Sequence, residues 1–235
     1  MPIATIRLAS YRNLADAELS LSAPRVFLVG ENGQGKTNLL EAIYYLSYGS
    51  SFRGQVDGDI PRRGGQEFGL EGAIVDEYAS SRPPERLSVT WKSRAKEIRR
   101  AGKILRDRKE LIELNPAIIY CHEDFDFAAG EPERRRFFFD QTAGMISLGY
   151  IDLLRDYRKI LVQRNTALKE GRENLLSVLD WQLATKGLDL MRERAAIAGD
   201  FSKEFGQQFE KVSRLGYPVD LHYRPSWKEG PAAGR

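Results

Sequence analysis

Cysteine is almost missing from these 235 residues. Cys121 stands alone, so no disulfide can form within the chain, and the expectation is a reducing, cytoplasmic setting. Histidine is scarce as well. Two histidines and one cysteine do not make a structural zinc site without much carboxylate help, so no metal beyond Mg²⁺ is expected. No apolar run approaches the roughly twenty residues that cross a bilayer. The opening Met1-Pro2-Ile3-Ala4-Thr5-Ile6-Arg7 also lacks the apolar core of a signal peptide, so no membrane association is expected. Internal repeats and low-complexity tracts are absent too. Net charge is only +3, yet it is unevenly spread. Arg82 to Lys109 holds eleven Lys and Arg against three Asp and Glu, a balance of +8 that leaves −5 for the remainder. Such a segment on a weakly acidic body suits a polyanion-facing surface, with Arg94, Lys96, Arg99, Arg100 and Lys103 as candidate DNA-phosphate contacts. A solvated sheet edge is the plainer alternative.

What is present centres on Gly30-Glu31-Asn32-Gly33-Gln34-Gly35-Lys36-Thr37, which matches the phosphate-cradling P-loop. The apolar run Arg25–Val29 before it predicts a strand. Asn38–Leu46 after it predicts a helix with Leu39, Leu40, Ile43 and Leu46 on one face. Glycines let successive backbone N–H groups turn inward and form a nest for phosphate oxygens, reinforced by the positive end of the helix. Lys36 is placed to reach the β- and γ-phosphates, and the Thr37 hydroxyl to take one position on Mg²⁺. ATP with Mg²⁺ is the expected cofactor.

Residues 3–8 and 17–21 read as a hairpin ahead of the P-loop strand, and Gly49 as the stop of the P-loop helix. Segments 68–76 and 86–92 alternate as strands, with Leu87, Val89 and Trp91 sharing a face, and Ala101-Gly102 reads as a hairpin turn. Pro116–Cys121 predicts a buried strand. Beyond Gly130, Pro132 suits the first turn of a helix, and two long helices are expected over Tyr150–Lys169 and Glu173–Leu215. In the second, Leu175, Leu179, Leu183, Leu190 and Ile197 mark an apolar stripe, and Gly187 and Gly199 are potential breaks. Pro218–Tyr223 reads as a further strand.

Six separated stretches resemble one family. Ile6-Arg7-Leu8 with Tyr11-Arg12-Asn13, the run Val29 to Ile43, and Ser50-Ser51-Phe52-Arg53 are similar to the N-terminus of the RecF family of recombination mediators. Glu123-Asp124, Gly130 to Phe137 with Asp140, and Tyr157 to Asn165 resemble later blocks of the same family. The resemblance implies an α/β P-loop NTPase of the ABC type, with an SMC-like head lobe and an appended long-helix lobe. It places lobe I at residues 1–130, the helical lobe II at 131–215, and the start of a further strand and loop at 216–235. It implies binding of gapped DNA as an ATP-induced homodimer, with RecR and RecO as partners in assisting RecA loading. Gly30 to Asn38 and Arg12 would then lie at the nucleotide, and Glu123 near the γ-phosphate.

Two family motifs, a Ser-x-Gly-Gln signature and a Walker B strand ending in paired acids, are not found in these residues. Ile74-Val75-Asp76-Glu77 is read as an ordinary strand end. The chain therefore reads as the N-terminal two-thirds of such a protein and is expected, alone, to bind ATP weakly and not to hydrolyse it. The rival classes are a P-loop small-molecule kinase clamping phosphates with Arg134-Arg135-Arg136, and a DNA-binding module whose P-loop is vestigial. The hairpin and the long helices weigh against the kinase, since a small substrate needs a compact pocket. No Asn-Lys-x-Asp base-reading motif supports a GTPase.

Overall fold

Alternation decides the first layer. Along Phe68–Ile74 the apolar side chains of Phe68, Leu70 and Ile74 are buried on one face while Glu71 and Ala73 point the other way. The same two-residue period builds the rest of a sheet in the computed structural model, which describes residues 3–75, 83–120 and 131–225. Strands β1 (Ile3–Ala9), β2 (Ala17–Ser20), β3 (Phe68–Ile74), β4 (Glu85–Lys92), β5 (Ala95–Arg100) and β6 (Lys103–Ile104) pair antiparallel in the order β2-β1-β3-β4-β5-β6. Leu8 faces Ala17 on one side and Leu70 on the other, and Leu70 in turn faces Val89. The Ala101-Gly102 turn forms as predicted, with φ of 46° and 81°. A second tight turn, at Ser93-Arg94, takes φ of 52° and 61° without any glycine.

Helix α1 (Lys36–Tyr48) covers the apolar face of this sheet. Tyr11 and Tyr45 meet Phe68 edge-on, with ring centroids 5.4 and 5.5 Å apart. The helix stops at Gly49, whose φ of 61° lets its N–H return to the Tyr45 carbonyl. The buried side of α1 is Leu39, Ala42, Tyr45 and Leu46, whereas Leu40, expected on it, is half exposed. Each helical residue advances by about 100°, so Leu40 sits one step off the stripe. A short helix, α2 (Lys109–Leu114), contributes the buried Leu111 to the same core.

A second compact unit follows the first, which spans Met1–Tyr120. It consists of α3 (Pro132–Ile146), α4 (Leu148–Lys169) and α5 (Glu173–Ser213). Helices α4 and α5 form an antiparallel hairpin through a turn at Gly171, fastened by ion pairs Arg164–Asp180 and Lys186–Asp156. Tyr150, Ala143 and Leu190 bring the three helices together. Beside them the carboxylate of Asp140 accepts from Tyr150 and from Arg194, the latter at 2.9 Å through Nε. Arg194 also bonds the Tyr150 hydroxyl at 3.1 Å. Helix α5 runs unbroken for 41 residues through Gly187 and Gly199. The expected breaks are absent because a glycine costs a helix only about 1 kcal/mol, which the packing of α5 as a whole against α3 and α4 outweighs.

Three predicted strands do not form. Arg25–Val29, the described residues of Pro116–Cys121, and Pro218–Tyr223 are extended or irregular segments without a ladder. Phe27 and Val29 are 82% and 93% exposed, and Ile118 and Tyr120 are 78% and 80% exposed. A strand exists only where a neighbour takes its N–H and C=O groups, and among the described residues none lies beside these segments. Pro218–Tyr223 instead folds back on α5, where Ser202 donates to Asp220 at 2.7 Å.

Candidate functional site

The loop between Val29 and α1 owes its shape to glycine. Gly33 and Gly35 hold φ of 82° and 96°, the left-handed region open to glycine, and the helix starts at Lys36 as the motif predicts. A Cβ on Gly35 would lie 2.5 Å from Leu14 Cδ2 and 2.8 Å from Asn13 Oδ1, so the β1–β2 turn braces the loop from outside. Lys36 Nζ donates to the carbonyls of Gly30 and Glu31, each at 2.7 Å. Glu31 N–H donates to the Gln34 side chain at 3.1 Å. Thr37 is exposed at the first turn.

The residues present fit a polyphosphate. The N-terminus of α1 has no side-chain cap and no acidic residue in its first turn, so its N–H groups are not claimed by a carboxylate or hydroxyl of the cap. Lys36 can exchange its two carbonyl partners for phosphate oxygens without leaving the loop. Such a group would supply the negative charge that this end of the helix and Lys36 lack, with Thr37 the hydroxyl beside it for Mg²⁺.

Behind the loop lies a buried acid. Glu41, fully enclosed on α1, accepts from Arg12 Nε at 2.9 Å and Nη2 at 2.7 Å, and from Ser51 Oγ at 2.5 Å. Burial by itself raises its pKa, but the Arg12 and Ser51 hydrogen bonds outweigh that and hold the carboxyl below its ordinary value. Arg12, expected at the nucleotide, also donates to the Asp59 carbonyl at 2.7 Å and to the Gln55 side chain. Its guanidinium therefore ties the β1–β2 turn to α1 and to residues 55–59 rather than standing free at the loop. Arg53 donates to Asn38 Oδ1 at 3.0 Å, and Asn38 Nδ2 donates to Asn13 Oδ1 at 2.7 Å. Asn13 Nδ2 then donates to the Gly33 carbonyl at 2.9 Å. Glu41, Ser51, Arg53 and Asn13 escape a motif search because their roles appear only once four separate segments converge; the signal available was that each sits inside a stretch of family resemblance.

The five candidate DNA contacts do not converge. Lys96 is drawn inward to Asp57 Oδ2 at 2.7 Å and to the Gly49 carbonyl at 2.7 Å, at the end of α1. Arg99 pairs with Glu97 and Arg100 with Glu85, each at 2.6 Å. Arg94 and Lys103 are exposed at the turns before and after β5, about 20 Å apart along the strand. Glu123, like Asp76, Glu77 and Cys121, lies outside the described residues. Among the described residues, no group of three or more His, Cys, Asp or Glu is placed to hold a metal, and no helix is long and apolar enough to cross a membrane.

Comparison with known proteins agrees with this geometry. Residues 25–153 match the family model described as AAA domain, putative AbiEii toxin, Type IV TA system. The chain is 37% identical over 222 residues to a DNA replication and repair protein RecF of Treponema pallidum, and 29% identical over 227 residues to that of Leptospira interrogans. These alignments cover 94% and 95% of the chain but 61% and 62% of the relatives, so it spans about three-fifths of their length. A solved structure of the recombination mediator protein RecF-ATP in the RecFOR pathway superposes with a TM-score of 0.79 at 26% identity. That superposition covers 90% of this chain and 58% of the other.

Proposed function

Because the chain belongs to the RecF family of ABC-type P-loop proteins, we propose that it binds ATP·Mg²⁺ at Gly30–Asn38 and serves recombinational DNA repair as a DNA-binding protein. The observation that carries this reading is the uncapped, acid-free start of α1 behind a glycine loop, with Lys36 held inside it. The solved relative named with ATP supports the choice of nucleotide. The finer expectations follow the family: dimerisation on ATP, contact with gapped DNA through the backbone, and cooperation with RecO and RecR in loading RecA. In the family's arrangement Gly30–Thr37 supplies one face of a composite site, and the other face comes from a Ser-x-Gly-Gln signature that these 235 residues do not contain.

Hydrolysis by these residues alone is not part of the proposal. Activating water needs a general base near the γ-phosphate, and no Walker B acid is found in the sequence. Titration with ATP·Mg²⁺ should therefore give weak, saturable binding that Lys36→Ala abolishes, with no phosphate release above background. A robust ATPase rate lost in Lys36→Ala would overturn the inactive reading. Unaltered binding in Lys36→Ala would overturn the assignment of the site and favour the vestigial P-loop.

A further inference from the structure

We infer that Asn13, on the β1–β2 turn, is a positioning residue of the phosphate loop, setting the direction in which the Gln34 N–H points. This rests on the nucleotide-binding reading above. A guanidinium can only donate and a backbone carbonyl can only accept. The relay that starts at Arg53 and ends at the Gly33 carbonyl therefore has one consistent direction: Arg53 to Asn38, Asn38 to Asn13, Asn13 to Gly33. Both asparagine amides are oriented by the ends of the chain, and the Asn13 NH₂ is committed to Gly33.

In a trans peptide the C=O of one residue and the N–H of the next point in opposite directions. Holding the Gly33 carbonyl toward Asn13 thus turns the Gln34 N–H away from the β1–β2 turn, toward the anion side of the loop. Other contacts hold the ends of the loop: Glu31 N–H on the Gln34 side chain, and Lys36 on the Gly30 and Glu31 carbonyls. At Gly33 itself a built Cβ would find no atom within 4 Å, so the Asn13 hydrogen bond, not packing, is what reaches its peptide.

The mount for Asn13 is stiff by comparison. Arg12 N–H donates to the Ile60 carbonyl at 2.9 Å, Leu14 N–H closes the turn on Tyr11 at 3.0 Å, and the Arg12 side chain is clamped by Glu41. Asn13 carries that anchoring to the Gly33 carbonyl. Preorganised N–H donors bind an anion without reorganising at the moment it arrives. An asparagine four residues ahead of β2 is well outside the contiguous octet Gly30–Thr37.

Amide spectra of the ¹⁵N-labelled full chain test this, read first without nucleotide and then during titration with ATP·Mg²⁺. Asn13→Ala and the isosteric Asn13→Asp, which cannot donate to Gly33, are both expected to move the Gln34 amide before any ATP is added. Sheet amides such as Ile6 and Leu70 should stay in place, and ATP affinity should fall at least fivefold. An Asn13→Asp chain whose Gln34 amide and ATP affinity match the unmutated chain would overturn the inference. Should ATP move no loop amide even in the unmutated chain, the nucleotide reading fails, while the ATP-free response of Gln34 still decides the role of Asn13.

Discussion

At the scale of single residues, Glu41 carries the largest local stake. Its carboxylate is fully enclosed and answers Arg12, whose side chain is only 13% exposed. Removing one partner of such a pair leaves the other charge uncompensated, which costs about 3 kcal/mol. Replacement by glutamine keeps the shape and loses the charge, so Glu41→Gln should lower unfolding free energy by about 2–3 kcal/mol at neutral pH. The effect has a pH signature. The folded carboxyl titrates below its ordinary value of 4.5, so its stabilisation is complete above that value and disappears as pH falls through the folded pKa. Urea unfolding at a series of pH values should show the gap between the two proteins closing below about pH 4.5 and constant above it. A gap independent of pH would mean that hydrogen-bond geometry, and not charge, is what Glu41 contributes.

Among the elements, α1 joins fold to site, and its end at Gly49 is the sharpest test of how it is held. A Cβ there needs a left-handed backbone and meets Ile98 Cδ1 at 3.0 Å and Arg108 Cδ at 3.1 Å. Gly54 has a similar φ of 69° but open space around it. Gly54→Ala should therefore cost about 1 kcal/mol, the backbone penalty alone, and Gly49→Ala about 2 kcal/mol, the difference measuring the crowding. Melting of both variants beside the parent separates the two contributions. That stop at Gly49, like Pro132 opening α3 and the Ala101-Gly102 turn, was legible in the sequence because each depends on the backbone preference of one or two residues. Strands were legible only where a neighbour exists. Phe68–Ile74 and Arg25–Val29 carry comparable apolar signals, yet only the first has β1 and β4 beside it. Periodicity reports what a segment can bury and says nothing of what lies alongside. The site divides in the same way. The octet Gly30–Thr37 is contiguous and was read directly, whereas the Arg53-Asn38-Asn13 relay joins residues up to forty positions apart and is visible only in three dimensions.

For the molecule as a whole, the charge map revises how DNA would be met. A +8 segment looked like a patch, but Arg99 and Arg100 pair with Glu97 and Glu85 of the same sheet, and Lys96 pairs with Asp57 beyond the end of α1. Arg94 and Lys103 remain exposed at the turns flanking β5, so binding is expected to be non-specific and spread along the phosphate backbone. The logarithm of affinity should then fall linearly with the logarithm of salt concentration, and Arg94→Ala or Lys103→Ala should each flatten that slope by about 1. Lys96→Ala should lower the melting temperature and leave the slope nearly unchanged. A salt-independent affinity would exclude phosphate contact altogether. The unladdered segments at Phe27, Val29, Ile118 and Tyr120 bear on a different property of the same unit, its colloidal behaviour. Extended backbone outside any ladder among the described residues, with bare apolar side chains, is a template for pairing with whatever strand arrives, including the same segment of a neighbouring molecule. Concentrated solutions of this chain are therefore expected to scatter light and gain cross-β signal sooner than dilute ones, and a peptide able to pair with either segment should delay that.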